Sequence, residues 1–339
     1  MGPAGLVLAW VLAGTGLGAA ATAVARGYAL RRRLIDQPGE RRSHASATPR
    51  GGGISIVLVL LLALVVLAIA APAELAGCTL AGSGLVLVAG IGWLDDHRPL
   101  PALPRLAVHA VAAAALAGAL WARGGDPLDQ AVAFVAALVL VNVWNFMDGI
   151  DGIAAVQALV VAVGWALLAG EGPVLWIGLA LAAGVAGFLP FNFPRARIFL
   201  GDVGSGALGY ALAALLATGG QGQPSAARLL WLLPLLPFLL DASLTLLARM
   251  VAREAWWQPH VQHAYQAWAR RLGSHVPVTL AYAAAAVAAA VAMFSVRSWS
   301  WPFIMAVCWM FLLAGGLTWK WLRGPAADDS THGVGKGNR

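Results

Sequence analysis

The feature that most constrains this chain is a series of long apolar runs separated by short polar segments. A transmembrane helix needs about 20 mostly apolar residues, and such runs recur along the whole sequence. Of the 339 residues, 60% are hydrophobic and 11% are charged, whereas a soluble domain carries about 25% charged residues. One soluble core cannot bury so many apolar side chains. We therefore predict an integral membrane protein and exclude a soluble enzyme, a secreted disulfide scaffold and a disordered chain.

The apolar runs predict an all-α integral membrane protein with about eleven transmembrane helices. Several runs are rich in alanine and glycine, which let helices pack closely in lipid. We place one polytopic domain at 1–322 and a polar cytoplasmic tail at 323–339. The predicted spans are 3–25, 54–71, 77–94, 105–122, 129–146, 152–170, 173–191, 204–220, 228–248, 277–296 and 300–320.

The positions of Lys and Arg orient these helices, because cytoplasmic segments carry an excess of both. Of the 22 such residues, all except Arg123, Arg228 and Arg297 follow an odd-numbered span. No basic residue precedes the first span, as a signal peptide would require. We predict an outside N-terminus, a cytoplasmic C-terminus and an active site built from cytoplasmic loops. The net charge of +7 then favours lipid headgroups and phosphorylated ligands, and nucleic acid is not an expected partner.

The first cytoplasmic loop contains Asp36 and His44 and ends in the glycine run 51–53. Glycines allow backbone N–H groups to approach an anion. The alternative is a basic anchoring loop with a glycine hinge. The loop lacks the Gly-Lys-Ser/Thr sequence of a Walker loop.

The second loop begins with the adjacent acids Asp95 and Asp96. Carboxylates at the membrane end of a helix are costly unless they are paired, protonated or bound to a cation. They could share Mg²⁺ or supply a base. The alternative is a helix-terminating turn with solvated acids, although an acid at a helix C-terminus opposes the helix dipole.

The third loop concentrates four oxygen-bearing side chains, Asn142, Asn145, Asp148 and Asp151. Mg²⁺ takes oxygen ligands, few of them from protein and the rest from water and substrate phosphate. The alternative is a plain Asx-Gly turn. A plain turn would not explain the two asparagines inside the apolar run.

The fourth loop contains Arg195, Arg197 and Asp202, followed by Ser205. Asp202 directly precedes a predicted helix, where its side chain could cap the helix or hold a metal. The two arginines could contact phosphates or only mark the cytoplasmic boundary.

The fifth loop contains His260 and His263, which at a spacing of three residues can share one helix face. They could lie near a phosphate or a metal, or be ordinary surface residues.

Within the ninth predicted span, Asp241 is the only acid well within an apolar run, which makes it a functional candidate by default. It could equally pair with Arg249.

Together these loops resemble the polyprenyl-phosphate N-acetylhexosamine-1-phosphate transferase superfamily, glycosyltransferase family 4. The third and fourth motifs are quite specific, and all five occur in order between residues 36 and 266. The matching motifs are Asp36…His44…Pro49…Gly-Gly, Asp95-Asp96, Asn142-x-x-Asn145-x-x-Asp148-Gly-x-Asp151-Gly, Phe199-Leu-Gly-Asp202-Val-Gly-Ser205 and His260-x-x-His263-Ala-Tyr-Gln.

The resemblance implies transfer of a sugar 1-phosphate from a UDP-amino sugar to polyprenyl phosphate, such as undecaprenyl phosphate, with release of UMP. It implies Mg²⁺, with Mn²⁺ as the alternative, held by Asp202 and Asn145. Asp151 falls on the nucleotide-binding acid, and Asp95 is the candidate base or lipid-phosphate activator. The candidate catalytic residues are Asp95, Asp96, His260 and His263, and the candidate substrate-binding residues are His44, Asn142, Asp148, Asp151, Arg195, Arg197 and Ser205.

Two departures from the family pattern are visible. Many members carry a third acid after the Asp-Asp pair, where this chain has Pro99. The fifth motif also lacks the three consecutive histidines of the peptidoglycan-precursor branch. It looks more like the branch that initiates O-antigen or other surface glycans from UDP-N-acetylglucosamine or a related sugar.

The implied location is the bacterial inner membrane, with the active site on the cytoplasmic face. The expected partners are the UDP-sugar, the polyprenyl phosphate and the bilayer. A homodimer is possible, but no sequence feature decides the oligomeric state. We expect a groove between helices through which the polyprenyl tail enters from lipid. A lipid-linked-sugar transporter and an inactive scaffold of a polysaccharide assembly complex remain as alternatives, and metal-dependent UMP release distinguishes the enzyme from both.

Overall fold

The computed structural model describes residues 2–37, 47–255 and 260–324, and almost all of them are helical. A two-stranded antiparallel ribbon, β1 (Ile35–Asp36) with β2 (Thr48–Pro49), interrupts the helices near the start. The helices are α1 (Pro3–Arg32), α2 (Ile54–Ala70), α3 (Leu75–His97), α4 (Ala102–Ala122), α5 (Pro127–Met147), α6 (Ile153–Ala169), α7 (Gly172–Asn192), α8 (Gly201–Gly220), α9 (Ser225–Leu232), α10 (Leu236–Val251), α11 (Ala264–Leu272), α12 (Val276–Val296) and α13 (Trp301–Arg323).

The predicted all-α, polytopic membrane fold is confirmed. Among the described residues, nine helical segments are long and apolar enough to cross a membrane. The two shorter apolar helices, α2 and α6, coincide with the other two predicted spans. The count of eleven spans and their orientation stay predictions.

The ninth predicted span is a composite rather than one regular helix. A 3₁₀ turn at Leu233–Leu235 separates α9 from α10. Pro234 lies in this turn and Pro237 in the first turn of α10. Proline has no N–H to donate, so an unbroken α-helix through both prolines is disfavoured.

Helix α8 lies at the centre of the bundle and is buried along almost its whole length. Its small residues let neighbouring helices approach closely. A Cβ atom at Gly209 would lie 2.3 Å from the backbone oxygen of Leu140 on α5. A helix that is apolar on all sides belongs in the interior. Because α8 lies in the interior, its first turn lies at the centre of one end of the bundle.

The glycine run 51–53 holds the first loop against the start of α8. Gly52 N donates to the carbonyl of Phe199 at 2.9 Å, and Gly53 N donates to the carbonyl of Leu200 at 2.9 Å. Two of the three amides that were expected to be open to an anion are therefore engaged by protein carbonyls. The glycines form a close packing contact between the first loop and α8.

We expect the substitution Gly53→Ala to destabilise the protein. A Cβ atom at this position would lie 2.1 Å from Cα of Gly204, so the backbones of α2 and α8 would have to separate. Overpacking of this kind costs about 1–3 kcal/mol or more. The thermal unfolding midpoint in detergent should fall by several degrees, whereas Gly16→Ala, which has open space around it within α1, should not lower it. Equal midpoints for the two variants would contradict this packing.

The segments alternate between two ends of the bundle. At one end Arg123 contacts Glu74, and Arg228 lies 2.6 Å from the buried Asp129. Two of the three basic residues that depart from the predicted charge distribution are therefore neutralised by acids. The loops that follow α1, α3, α5 and α7 meet at the opposite end, which we call the site end.

Candidate active site

A cavity of about 220 Å³ lies at the site end, where the loops converge on the first turn of α8. Six of the residues predicted from the sequence line it, and four of these are aspartates. The lining residues are Asp36, Arg50, Asp96, Asn145, Asp148, Gly149, Ile150, Asp151, Asn192, Phe199, Gly201, Asp202, Ser205, Gln266 and His275. The predicted residue His44 lies outside the described residues.

Asp96 joins the end of α3 to the start of α8. Its Oδ1 accepts a hydrogen bond from Asp202 N at 3.0 Å and its Oδ2 accepts one from Val203 N at 3.2 Å. Arg50 donates to the carbonyl of Asp96. The first amides of a helix have no intrahelical partner and carry partial positive charge. A buried carboxylate at the end of α3 is therefore stabilised by the N-terminus of α8.

Arg105, in the first turn of α4, connects two further acids. Its Nη1 lies 3.0 Å from Oδ2 of Asp95 and 2.9 Å from Oδ2 of Asp202. The other oxygen of Asp95 accepts a hydrogen bond from Leu100 N at 2.6 Å. Asp95 is thus fully engaged behind the cavity, while Asp202 reaches into it.

The end of α5 supplies Asn145 and Asp148. Nδ2 of Asn145 donates to Oγ of Ser205 at 3.2 Å, which ties the third motif to α8. Burial, and then the charges of Asp96 and Asp151, raise the pKa of Asp148 to about 7. Negative charge is therefore crowded around this cavity.

This crowding predicts a pH-dependent effect of Asp148→Asn on stability. The folded protein retains the Asp148 proton up to about pH 7, whereas the unfolded chain loses it near its ordinary pKa. The stabilisation is complete at low pH and is lost as pH rises through about 7. Without divalent cations, the unfolding midpoint of the variant relative to wild type should rise by a few degrees between about pH 5.5 and about pH 8.

Asp126→Asn, at the opposite end, is the matched control, because asparagine also caps a helix N-terminus. Its effect should be the same at both pH values. The Asp148 prediction is wrong if the difference between that variant and wild type does not change with pH.

Asn192, at the end of α7, holds the third loop against the fourth. Its Oδ1 accepts a hydrogen bond from Gly152 N at 3.0 Å, and its Nδ2 donates to the carbonyl of Ile198 at 3.0 Å. Gly152 has a φ of +76°, and a Cβ atom there would lie 2.6 Å from the ring of Phe193. Glycine is the residue that adopts this conformation without strain.

The structure does not bring three of the predicted substrate-binding residues to the cavity. Asn142 donates to the carbonyl of Leu138 on its own helix at 2.7 Å. Arg195 is exposed. Arg197 is also exposed, donates to the carbonyl of Pro190 at 2.5 Å and lies over the ring of Phe191. These arginines agree better with the boundary alternative than with phosphate binding.

The intramembrane acid Asp241 anchors α11 and is not part of the cavity. Its carboxylate accepts hydrogen bonds from Ala264 N at 2.8 Å, Tyr265 N at 3.0 Å and the Tyr282 hydroxyl at 2.7 Å. The alternative pairing with Arg249 is wrong, because Arg249 lies 3.4 Å from Glu254 instead.

The two histidines of the fifth motif lie beside this anchor and do not line the cavity. Nδ1 of His263 lies 3.5 Å from Oδ1 of Asp241, and the rings of His260 and His263 are stacked with centroids 4.8 Å apart. Burial, and then the nearby His263 and Arg249, lower the pKa of His260 to about 4. His260 is therefore neutral near pH 7.

The cavity offers carboxylate and amide oxygen atoms that could bind Mg²⁺ together with the phosphates of a substrate. Among the described residues, no three His, Cys, Asp or Glu side chains are grouped closely enough to enclose a metal. Mg²⁺ is usually bound by one or two carboxylates together with water and substrate phosphate. Asp202 and Asn145 supply oxygen atoms of this kind, and the crowded carboxylates favour a cation in the same place.

Comparison with known proteins gives consistent matches. The model of the family described as "Glycosyl transferase family 4" matches residues 78–220. The phospho-N-acetylmuramoyl-pentapeptide-transferase of Symbiobacterium thermophilum is 34% identical over 249 residues, which cover 60% of this chain and 72% of that protein. The undecaprenyl-phosphate alpha-N-acetylglucosaminyl 1-phosphate transferase of Thermotoga maritima is 28% identical over 258 residues, which cover 74% and 78%.

The decaprenyl-phosphate N-acetylglucosaminephosphotransferase of Mycobacterium tuberculosis is 37% identical over 229 residues. The match covers 58% of this chain and 56% of that protein. The chain therefore spans little more than half the length of this relative.

Proposed function

This chain belongs to glycosyl transferase family 4, and we propose that it transfers an N-acetylhexosamine 1-phosphate from a UDP-sugar to a polyprenyl phosphate and releases UMP. The observation that carries the proposal is the single cavity that collects Asp96, Asp148, Asp151 and Asp202 from three separate loops. A cluster of acids beside basic residues at the end of a membrane bundle suits a reaction between two phosphorylated substrates.

In the proposed reaction, an oxygen of the polyprenyl phosphate attacks the phosphorus that carries the sugar. The bond from this phosphorus to the bridging oxygen breaks, and its electron pair leaves with UMP. Phosphoryl transfer depends mainly on positioning and on stabilising negative charge. The chain must therefore hold both substrates in line and neutralise their phosphates.

Asp202 and Asn145 are the proposed ligands of Mg²⁺, with Mn²⁺ as the alternative. Mg²⁺ held by these residues would supply positive charge that neutralises the donor diphosphate and the leaving UMP. Asp96 keeps the first turn of α8, and with it Asp202, at a fixed position in the cavity. Asp148 and Asp151 line the same cavity, and Asp151 is the proposed nucleotide-binding acid.

Arg105 and Arg50 are the proposed cationic groups for the phosphates. Arg50 lines the cavity, and Arg105 contacts Asp202 from the side of α4. Both oxygens of Asp95 are already engaged. We therefore assign Asp95 to holding Arg105 in place, rather than to removing a proton from the acceptor.

We further propose N-acetylglucosamine as the sugar and surface-glycan initiation, as for O-antigen, as the role, at the cytoplasmic face of the bacterial inner membrane. The names of the Thermotoga maritima and Mycobacterium tuberculosis relatives support the sugar. The absence of three consecutive histidines from the fifth motif argues against the muramoyl-pentapeptide donor.

A donor panel tests this proposal. Purified full-length protein in detergent is incubated with undecaprenyl phosphate and UDP-GlcNAc, UDP-GalNAc or UDP-MurNAc-pentapeptide, with Mg²⁺ or with EDTA, and UMP is quantified. We expect Mg²⁺-dependent UMP release that is fastest with UDP-GlcNAc. Release from the pentapeptide donor alone would overturn the proposed sugar. No release from any donor by folded protein would favour the transporter or scaffold alternative.

A further inference from the structure

The cavity contains a histidine that lies beyond every motif described above. His275 directly precedes α12 and lines the cavity together with Asp151. It also lies outside the segment matched by the family model, residues 78–220. The motifs assign no role to His275, so we infer one from its contacts.

The start of α12 contacts three groups of Asp151. Nδ1 of His275 accepts a hydrogen bond from the backbone N–H of Asp151 at 3.3 Å or, when it carries a proton, donates to Oδ2 of Asp151, which also lies at 3.3 Å. One turn later, Oγ1 of the buried Thr279 donates to the carbonyl of Asp151 at 2.8 Å. The carboxylate, the amide and the carbonyl of one residue are therefore all in contact with α12.

These contacts determine the direction in which the Asp151 carboxylate points. On the other side, Asn192 holds the neighbouring Gly152, so the backbone of the turn is held from both sides. With Oδ2 beside the imidazole, Oδ1 is the oxygen that can accept a hydrogen bond from a ligand. A carboxylate repels phosphate groups, so the matching ligand group is a neutral N–H or O–H, and the nucleoside of the donor carries such groups.

We propose that His275, supported by Thr279, is a positioning residue for the nucleoside half of the UDP-sugar, acting through Asp151. This inference rests on the proposed function. It makes α12 part of donor recognition.

The test measures UDP binding and steady-state kinetics of the full-length protein in detergent with Mg²⁺. His275→Ala should weaken UDP binding about tenfold, a loss of about 1.4 kcal/mol. The KM for UDP-GlcNAc should rise by a similar factor, while kcat changes less than about threefold and the KM for undecaprenyl phosphate does not change. A side-chain amide can occupy the place of Nδ1, so His275→Asn should recover most of the affinity.

Two further variants separate positioning from a loss of folding. Thr279→Val removes only the contact to the Asp151 carbonyl and should weaken UDP binding about threefold. Ser295→Ala, an exposed position at the far end of α12, should bind UDP like wild type. Thr279→Val also tests the same contacts if His275→Ala aggregates.

The outcomes distinguish this inference from the function on which it rests. If wild type releases UMP and binds UDP, and both His275→Ala and Thr279→Val bind UDP equally tightly, only the role of His275 is overturned. A fall in kcat with an unchanged KM for the donor would also overturn it. If wild-type protein binds no UDP and releases no UMP, the proposed function fails and this inference fails with it.

Discussion

Asp202→Asn should reduce UMP release by about 1,000-fold or more. Asp202 is the carboxylate that reaches from the first turn of α8 into the cavity and also contacts Arg105. The amide keeps the size of the side chain but removes the negative charge that a divalent cation requires. The backbone amide of residue 202 still donates to Asp96, so the fold should be retained. Initial rates at saturating donor and acceptor, with increasing Mg²⁺, measure the effect.

The control for this prediction is Asp126→Asn, which removes one negative charge at the opposite end of the bundle and retains the helix cap. This variant should react at the wild-type rate. If Asp202→Asn retained more than about a tenth of the wild-type rate at ordinary Mg²⁺ concentrations, Asp202 would not be a metal ligand.

Arg105→Ala should lower kcat by about 100-fold. One nitrogen of Arg105 lies within 3.0 Å of both Asp95 and Asp202. Without it, two carboxylates face each other with no cation between them, and the phosphates lose a positive charge at the point of attack. Arg105→Lys should recover part of the loss, because an ammonium group restores the charge but not the planar geometry of the guanidinium. The same UMP assay measures both variants.

Arg98→Ala is the matched control, because Arg98 is an exposed arginine in the loop that leads into α4. We expect little change in kcat for this variant. Equal losses for Arg98→Ala and Arg105→Ala would mean that Arg105 contributes only to the general positive charge of this face.

The membrane fold and much of the cavity could be predicted from the sequence. Long apolar runs leave little choice of architecture, and all eleven runs correspond to apolar helical segments in the structure. Asp96, Asn145, Asp148, Asp151, Asp202 and Ser205 come together as the motifs predict. Acids and amides at membrane-helix ends are costly, so their presence is a strong signal of a site.

The sequence is ambiguous where a residue type has two common uses. A buried acid in an apolar run, such as Asp241, indicates a functional candidate, but the N-terminus of a helix such as α11 stabilises an acid equally well. Arg50 and Arg105 were counted only as markers of topology. No local signal separates an arginine at a membrane boundary from one that contacts the acids of the site, because the difference depends on tertiary contacts.

The position of the phosphorus label tests the central proposal most directly. UDP-GlcNAc carrying ³²P in the phosphate next to the sugar is incubated with undecaprenyl phosphate, Mg²⁺ and the purified protein, and the lipid and aqueous phases are separated. The account predicts that the label moves into the lipid phase as a diphosphate-linked sugar, with one unlabelled UMP released for each lipid formed. Label that stays in the aqueous phase as UDP, while sugar enters the lipid, would mean glycosyl transfer without phosphate and would contradict the account.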